Sequence, residues 1–278
     1  MSFSKEVKGE LCKLKENEKM PRPVLAGLFA YSRLFLEGQP GVRSETESVV
    51  TLCAKLVRRA FGEEWTIFSE NDRLFFCQPK ELPISFSLEE LSPRAGEEAL
   101  FVRGAFLACG TLAEPMRAYE LAFSLAEGMD EKKLLTAMGE GFFPFRMTDL
   151  GKEGKRIYLK DSTSIEEFLI WMGAQKNALS LMEVKIYKEI RNQANRVNNF
   201  DTSNIEKAAS VGAEQAMMVE KLKKSGQWDT LSEDVKNLGE LRVANPEVTL
   251  KELGELSDPP LSRASVFRRM EKIRKLAE

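Results

Sequence analysis

The chain of 278 residues contains no histidine. That absence removes the imidazole of Ser-His-Asp and Cys-His nucleophilic catalysis, the usual near-neutral proton shuttle and every His-containing zinc site. An enzyme of this composition would have to rely on carboxylates, Lys or Ser. Cysteine is scarce too: Cys12, Cys53, Cys77 and Cys109 lie far apart with no Cys-x-x-Cys pair. This argues against zinc ribbons and redox dithiols and reads as scattered buried thiols. No stretch approaches the ~18 uninterrupted apolar residues that a spanning helix needs. The opening MSFSKEVKGELCKLKENEK is charged and has no apolar signal region. A cytoplasmic protein without membrane contact is therefore expected. Charge of one sign is missing as well, since the net charge is only -2, so any affinity for polyanions has to be local.

What is present is enough for a full core: 43% of residues are apolar and 30% charged, and the length suits two or three domains. After an N-terminal amphipathic segment, Pro21 and Pro23 open a helical run, VLAGLFAYSRLFLEG, expected to end near Gly38 before a Gln39-Pro40-Gly41 turn. A second helix, Glu45 to Ala60, stops at Gly62, and WTIFSENDRLFFCQP reads as a hairpin around Ser69-Glu70-Asn71-Asp72. The pattern then recurs. ALFVRGAFLACG reads as a helix, AYELAFSL as a strand, DEKKLLTAMGEG as a helix, and FPFRMTDL with KRIYLK as a second hairpin closed by Gly151 to Gly154. Gly27 and Gly104 hold equivalent places in the two opening helices, so the spacing predicts a duplicated α/β unit of about 77 residues.

From Ser164 onward only helical patterns follow. IEEFLIWMG is one, ALSLMEVKIYKEIRNQANRV a longer one, and Asn204 to Lys224 a third that reaches a break at Ser225-Gly226-Gln227, read as a hinge. Beyond it lie three short helices. Ser232 caps the first, with Val235, Leu238 and Leu241 on one face; Thr249-Leu250-Lys251-Glu252 is a capping box for the second, with Leu250, Leu253 and Leu256 on its buried side. Asp258-Pro259-Pro260 ends it. Ser262 caps the third, whose Val266, Met270, Ile273 and Ala277 fall within about 60° of one another on a helical wheel and face the core. Its opposite face carries Ala264, Ser265, Arg268, Lys272 and Lys275. Leu231 to Asp258 holds three basic and seven acidic residues, while Leu261 to Glu278 holds six basic and two acidic. Three helices with the basic one last, and small side chains at its start, are what a major-groove recognition helix needs.

The segment LKELGELSDPPLSRASVFRRMEKIRKLAE closely resembles the end of the WhiA family of sporulation and cell-division regulators of Gram-positive bacteria. RNQANRVNNFDTSN, from Arg191 to Asn204, and FVRGAFLACGTL resemble two further segments of that family. The resemblance implies an α+β protein: a duplicated α/β domain similar to LAGLIDADG homing endonucleases, followed by an all-α helix-turn-helix domain. The expected segments are 1–85 and 86–176 for the two halves, 177–228 for a helical linker and 229–278 for the DNA-binding module.

The sequence spells LAGL at Leu25 to Leu28. In the nucleases, an acidic residue at the end of each such motif holds Mg²⁺. Aligned here, those positions fall on Ser32, followed by Arg33 in place of glycine, and on Cys109, followed by Gly110. Neither is a carboxylate, so no catalytic residue, no metal and no cofactor are expected. The first half also looks shortened between Phe35 and Glu45. Where the family pattern has Ser-Gly-Val-Asn-His-Arg, this chain has Ala264 to Arg269, so a preferred DNA sequence does not carry over.

The expected function is transcription regulation on double-stranded DNA at the nucleoid. Arg263, Ser265 and Arg268 are expected at base edges or adjacent phosphates, and Arg269, Lys272 and Lys275 on the backbone. Lys185, Lys188, Arg191, Asn195 and Arg196 form a possible second contact strip. RNA polymerase or another regulator is a further expected partner. The alternatives are a metal-dependent endonuclease using other acids, and a protein-binding adaptor of the transcription machinery.

Overall fold

The computed structural model describes residues 2–32, 34–36, 39–71, 73–81, 84, 91–139 and 141–278. The chain forms two compact units, Met1–Lys188 and Glu189–Glu278.

The first unit opens with helices α1 (Phe3–Cys12) and α2 (Lys15–Lys19). One pattern of elements then runs twice. Helix α3 (Pro21–Ala30), strands β1 (Leu34–Leu36) and β2 (Gln39–Ser44), helix α4 (Glu47–Phe61) and strands β3 (Trp65–Glu70) and β4 (Leu74–Pro79) make the first copy. Helix α5 (Glu98–Cys109), strands β5 (Gly110–Leu112) and β6 (Leu121–Leu125), helix α6 (Glu131–Ala137) and strands β7 (Arg146–Asp149) and β8 (Lys155–Leu159) make the second. Among the described residues each copy forms one antiparallel four-stranded sheet, ordered β1-β2-β4-β3 and β5-β6-β8-β7. The common topology matches the duplication expected from the glycine spacing.

Glycine lets the opening helices of the two copies touch. A Cβ on Gly27 would stand 1.9 Å from the Phe101 carbonyl oxygen, and one on Gly104 2.0 Å from that of Val24. Around this seam the aromatic core packs Phe106, Phe123 and Phe168 edge to face. Helix α7 (Ser162–Met172) closes the unit, capped by Asp161 and ended by Gly173 in the left-handed conformation. Buried Arg103 ties it in, donating to the Met172 carbonyl at 2.8 Å and to Asn17 Oδ1 at 2.6 Å.

Two expectations for this unit need correction. The opening helix stops at Ala30 rather than near Gly38, and Gln39, Pro40 and Gly41 belong to β2 rather than to a turn. The run LFL is too short and too evenly apolar for periodicity to separate strand from helix, and pairing with β2 decides for strand. Gly38 itself, like Arg33 and Asp72, lies outside the described residues.

Helix α8 (Gln175–Ser225) is continuous where two helices were expected, and contributes to both units. In the second unit its Val219 and Leu222 share a core with residues of α9 (Glu233–Ala244), α10 (Leu250–Glu255) and α11 (Arg263–Ala277). The break at Ser225-Gly226-Gln227 exists as a turn, with Gly226 at φ +75°. The chain folds straight back onto α8, and a Cβ on Gly212 would stand 1.8 Å from the Pro246 carbonyl oxygen. Beside it the buried Arg242 guanidinium donates to the carbonyls of Val248 at 2.7 Å and Asn245 at 3.2 Å, fixing the α9–α10 turn. Thr249 and Glu252 make the expected capping box. Leu256 is 54% exposed, against expectation, because α10 ends at Glu255 and Leu256 falls past the last helical residue.

Candidate nucleic-acid interface

Helix α11 owes its start to Ser262, whose hydroxyl accepts from the Ser265 N–H at 3.3 Å. Just before it, the Leu261 N–H donates to the Gly254 carbonyl at 2.8 Å. A Cβ at Gly254 would meet the Leu261 carbonyl at 2.2 Å, so that glycine lets α10 approach the connection 256–262 closely. Val266, Met270, Ile273 and Ala277 are buried, which fixes the rotation of the helix about its axis. The opposite face is therefore solvent-facing: Ala264, Arg268, Lys272 and Lys275 are exposed, and so is Arg263 at the first turn.

The expected contact residues separate into two groups. Arg263, Arg268, Lys272 and Lys275 lie on the open face. Arg269 does not: its Nε donates to Asp234 Oδ2 of α9 at 2.9 Å and its Nη1 to Ser265 Oγ at 3.1 Å. That pairing occupies the Ser265 hydroxyl as well. Hydrogen bonds from Ser232 and from Arg269 hold the Asp234 carboxyl below its ordinary range.

Reasoning from sequence passed over Phe267 as a contact. It is 53% exposed and, with Leu250, Arg263, Ala264 and Arg268, lines a cavity of about 540 Å³ at the start of α11. The available signal was a large apolar side chain at a wheel position outside the buried stripe.

The proposed second strip divides likewise. Lys185 donates to Thr163 Oγ1 at 3.0 Å and lies 3.7 Å from Glu166; Lys188 donates to the Pro115 carbonyl at 2.5 Å with its ammonium 4.4 Å from the centre of the Tyr119 ring. Both are engaged within the first unit. Arg191, Asn195 and Arg196 are exposed on α8.

At the ends of the two glycine-packed helices stand the positions where the nuclease motif carries acids. Ser32 is buried and its hydroxyl donates to the Gly41 carbonyl at 2.7 Å. Cys109 is half-buried, with the Lys8 ammonium of α1 close enough to interact with it electrostatically. Neither end fits a divalent ion: the hydroxyl is committed, the thiol is a soft donor, and a lysine adds positive charge. Among the described residues no group of three or more His, Cys, Asp or Glu could hold a metal.

A duplicated αββαββ domain built on two glycine-packed helices, without the motif carboxylates, and a terminal three-helix module with an open basic third helix define a LAGLIDADG-like protein carrying a helix-turn-helix. Two family descriptions match the chain: the WhiA LAGLIDADG-like domain over residues 98–191 and the WhiA C-terminal HTH domain over residues 194–277. The chain belongs to the WhiA family.

Relatives named "Probable cell division protein WhiA" align from Carboxydothermus hydrogenoformans, 35% identical over 64% of this chain, and Caldicellulosiruptor saccharolyticus, 32% identical over 72%. These alignments span 57% and 61% of those relatives, a little over half of their length. The alignment with the relative from Thermoanaerobacter pseudethanolicus, 26% identical, covers 100% of this chain and 98% of that one. The crystal structure of full-length WhiA from Thermatoga maritima shares the fold at a TM-score of 0.60 and 21% identity, covering 100% of this chain and 98% of its own. No helix among the described residues is long and apolar enough to cross a membrane.

Proposed function

We propose that the chain is a sequence-specific regulator of transcription, of the sporulation or cell-division type, that binds double-stranded DNA through α11 and performs no hydrolysis. One observation carries this reading: Arg263, Arg268, Lys272 and Lys275 are exposed on α11 around a small residue, Ala264, while Val266, Met270, Ile273 and Ala277 anchor its other side. A helix presented in this way lets its backbone enter the major groove, with Arg reaching guanine edges and Lys the flanking phosphates. Arg269 and Ser265 act from behind, setting the angle of α11 against α9 through Asp234.

The LAGLIDADG-like domain serves as a scaffold, because Ser32 and Cys109 cannot bind Mg²⁺ as carboxylates do. Arg191, Asn195 and Arg196 remain candidates for added phosphate contacts; Lys185 and Lys188 leave the proposed strip. The protein works in the cytoplasm on the nucleoid, and the name of its relatives points to cell division as the regulated process.

Selection of bound duplexes from a randomised pool by the full chain tests the reading. A single enriched motif, lost with Arg268→Ala, supports it. An unenriched pool, or cutting of plasmid that tracks the purified protein in Mg²⁺, overturns it.

A further inference from the structure

Between α1, the β2–α4 junction and the end of α5, the first unit forms an open cavity of about 590 Å³. Lys5 and Lys8 reach it from α1, Arg43 from β2 and Cys109 from α5, with the hydroxyls of Ser4 and Ser44 among its walls. Its lining holds three cations and one carboxylate, Glu45, which stands 3.7 Å from Lys5. Among the described residues neither Lys8 nor Arg43 has a hydrogen-bond or ion-pair partner; Lys8 makes only a distant approach to the Phe106 ring, at 5.9 Å. Burial pushes the Lys8 ammonium below the ordinary lysine range, with Cys109, Cys12 and Glu45 pulling weakly the other way.

Lys8 is half-buried and Arg43 exposed; a partly desolvated ammonium without a counter-ion is costly, and an anion bound between the two would supply the missing charge. A guanidinium beside ammonium groups, with hydroxyl donors near, suits a tetrahedral oxyanion. The volume lies in the range of about 300–1,000 Å³ common for small-ligand sites. The location gives the cavity its meaning. Cys109 holds the position of a metal-binding acid in the nuclease motif, and here the sign of the site is inverted: a thiol and an ammonium stand where a carboxylate would hold a cation.

We propose that this cavity is a phosphate-binding site, taking the phosphate group either of a small free ligand or of a nucleic-acid backbone. The proposal goes beyond the reading of α11 and does not depend on it.

Acylation of the full chain by an amine-reactive reagent, read residue by residue by mass spectrometry, tests it. Inorganic pyrophosphate is one probe and a duplex of unrelated sequence the other. Pyrophosphate at about ten times its Kd should slow acylation of Lys8 about tenfold by mass action, leave exposed Lys132 unchanged, and lose its effect in Arg43→Gln. Protection by the duplex as well assigns the site to backbone phosphate; protection by pyrophosphate alone assigns it to a free ligand. Lys8→Met should raise Tm in the absence of anion, because it removes an unpaired charge, and should abolish any rise caused by pyrophosphate. Lys8 acylation unmoved by both probes, or a pyrophosphate-induced Tm shift that persists in Lys8→Met, would overturn the proposal.

Discussion

Gly27 and Gly104 occupy each other's mirror position. Gly27 lies against the backbone of Phe101 and Ala105, and Gly104 against that of Val24 and Leu28. The two neighbour pairs are separated by the same 77 positions as the glycines themselves. The duplication seen in the sequence is therefore a pseudo-twofold seam in the structure. Alanine at either position would press into a carbonyl on the facing helix, and that backbone cannot rotate away as a side chain could. Gly27→Ala and Gly104→Ala should each cost at least about 3 kcal/mol in urea unfolding, at the upper end of overpacking effects, and to a similar degree. A cost below about 1 kcal/mol for either would mean that the helices are not packed this tightly.

The seam was legible because close helix packing needs glycine at one fixed place in each repeat, and the sequence displays that place twice. Most of the second half of the domain was legible, since the α5 helix, the β6 strand and the β7–β8 hairpin each have matching period and turn residues; β5 was not, because its three residues, Gly110–Leu112, directly follow the apolar run of α5. The end of α3 was not, because in VLAGLFAYSRLFL only Ser32 and Arg33 break an apolar run that continues to Leu36, and the choice of strand at Leu34 rests on pairing with β2. Side-chain partners drawn from remote segments were equally hidden. Nothing near Arg269 announces Asp234, nothing near Lys188 announces Tyr119, and nothing near Lys8 announces that it will share a cavity with Arg43 and Cys109.

Arg268 and Arg269 are adjacent in sequence and should behave as opposites. Arg268→Ala should weaken DNA binding by about 1–3 kcal/mol if it reads a guanine edge and leave Tm unchanged. Arg269→Ala should lower Tm, because it releases Asp234 and Ser265, and should affect DNA only through misplacement of α11. Calorimetry and fluorescence anisotropy on the same two variants separate these outcomes. Equal loss of affinity with no thermal change in either would return Arg269 to the interface.

Phe267 is poised for an apolar contact, and the base group that offers one in the major groove is the thymine methyl. Replacing thymines in the selected duplex by deoxyuridine, one at a time, should reveal a position where affinity falls about fourfold, corresponding to roughly 0.8 kcal/mol for one methyl-sized group. Phe267→Ala should abolish that difference. If every deoxyuridine duplex binds like its parent, Phe267 makes no such contact.

Acid should loosen the C-terminal module. Hydrogen bonds from Ser232 and then Arg269 hold Asp234 below its ordinary value of 3.8, and those from Thr249 hold Glu252 below 4.5. Groups with depressed folded pKa values contribute stability that is whole above their ordinary values and is lost as pH falls through the folded ones. The Tm of the module should therefore be steady above about pH 5 and decline below pH 4.5, less steeply in Thr249→Ala. A Tm that falls between pH 7 and 5 would implicate other groups.

Salt dependence of duplex binding bears on the open basic face of α11 more than any other quantity. Each phosphate contact contributes about 0.9 to the slope of log affinity against log salt. The full chain should show a clear negative slope on its selected duplex, reduced by about one in Lys272→Ala and again by about one in Lys272→Ala combined with Lys275→Ala. An unchanged slope in both variants, with affinity intact, would mean that DNA does not meet this helix.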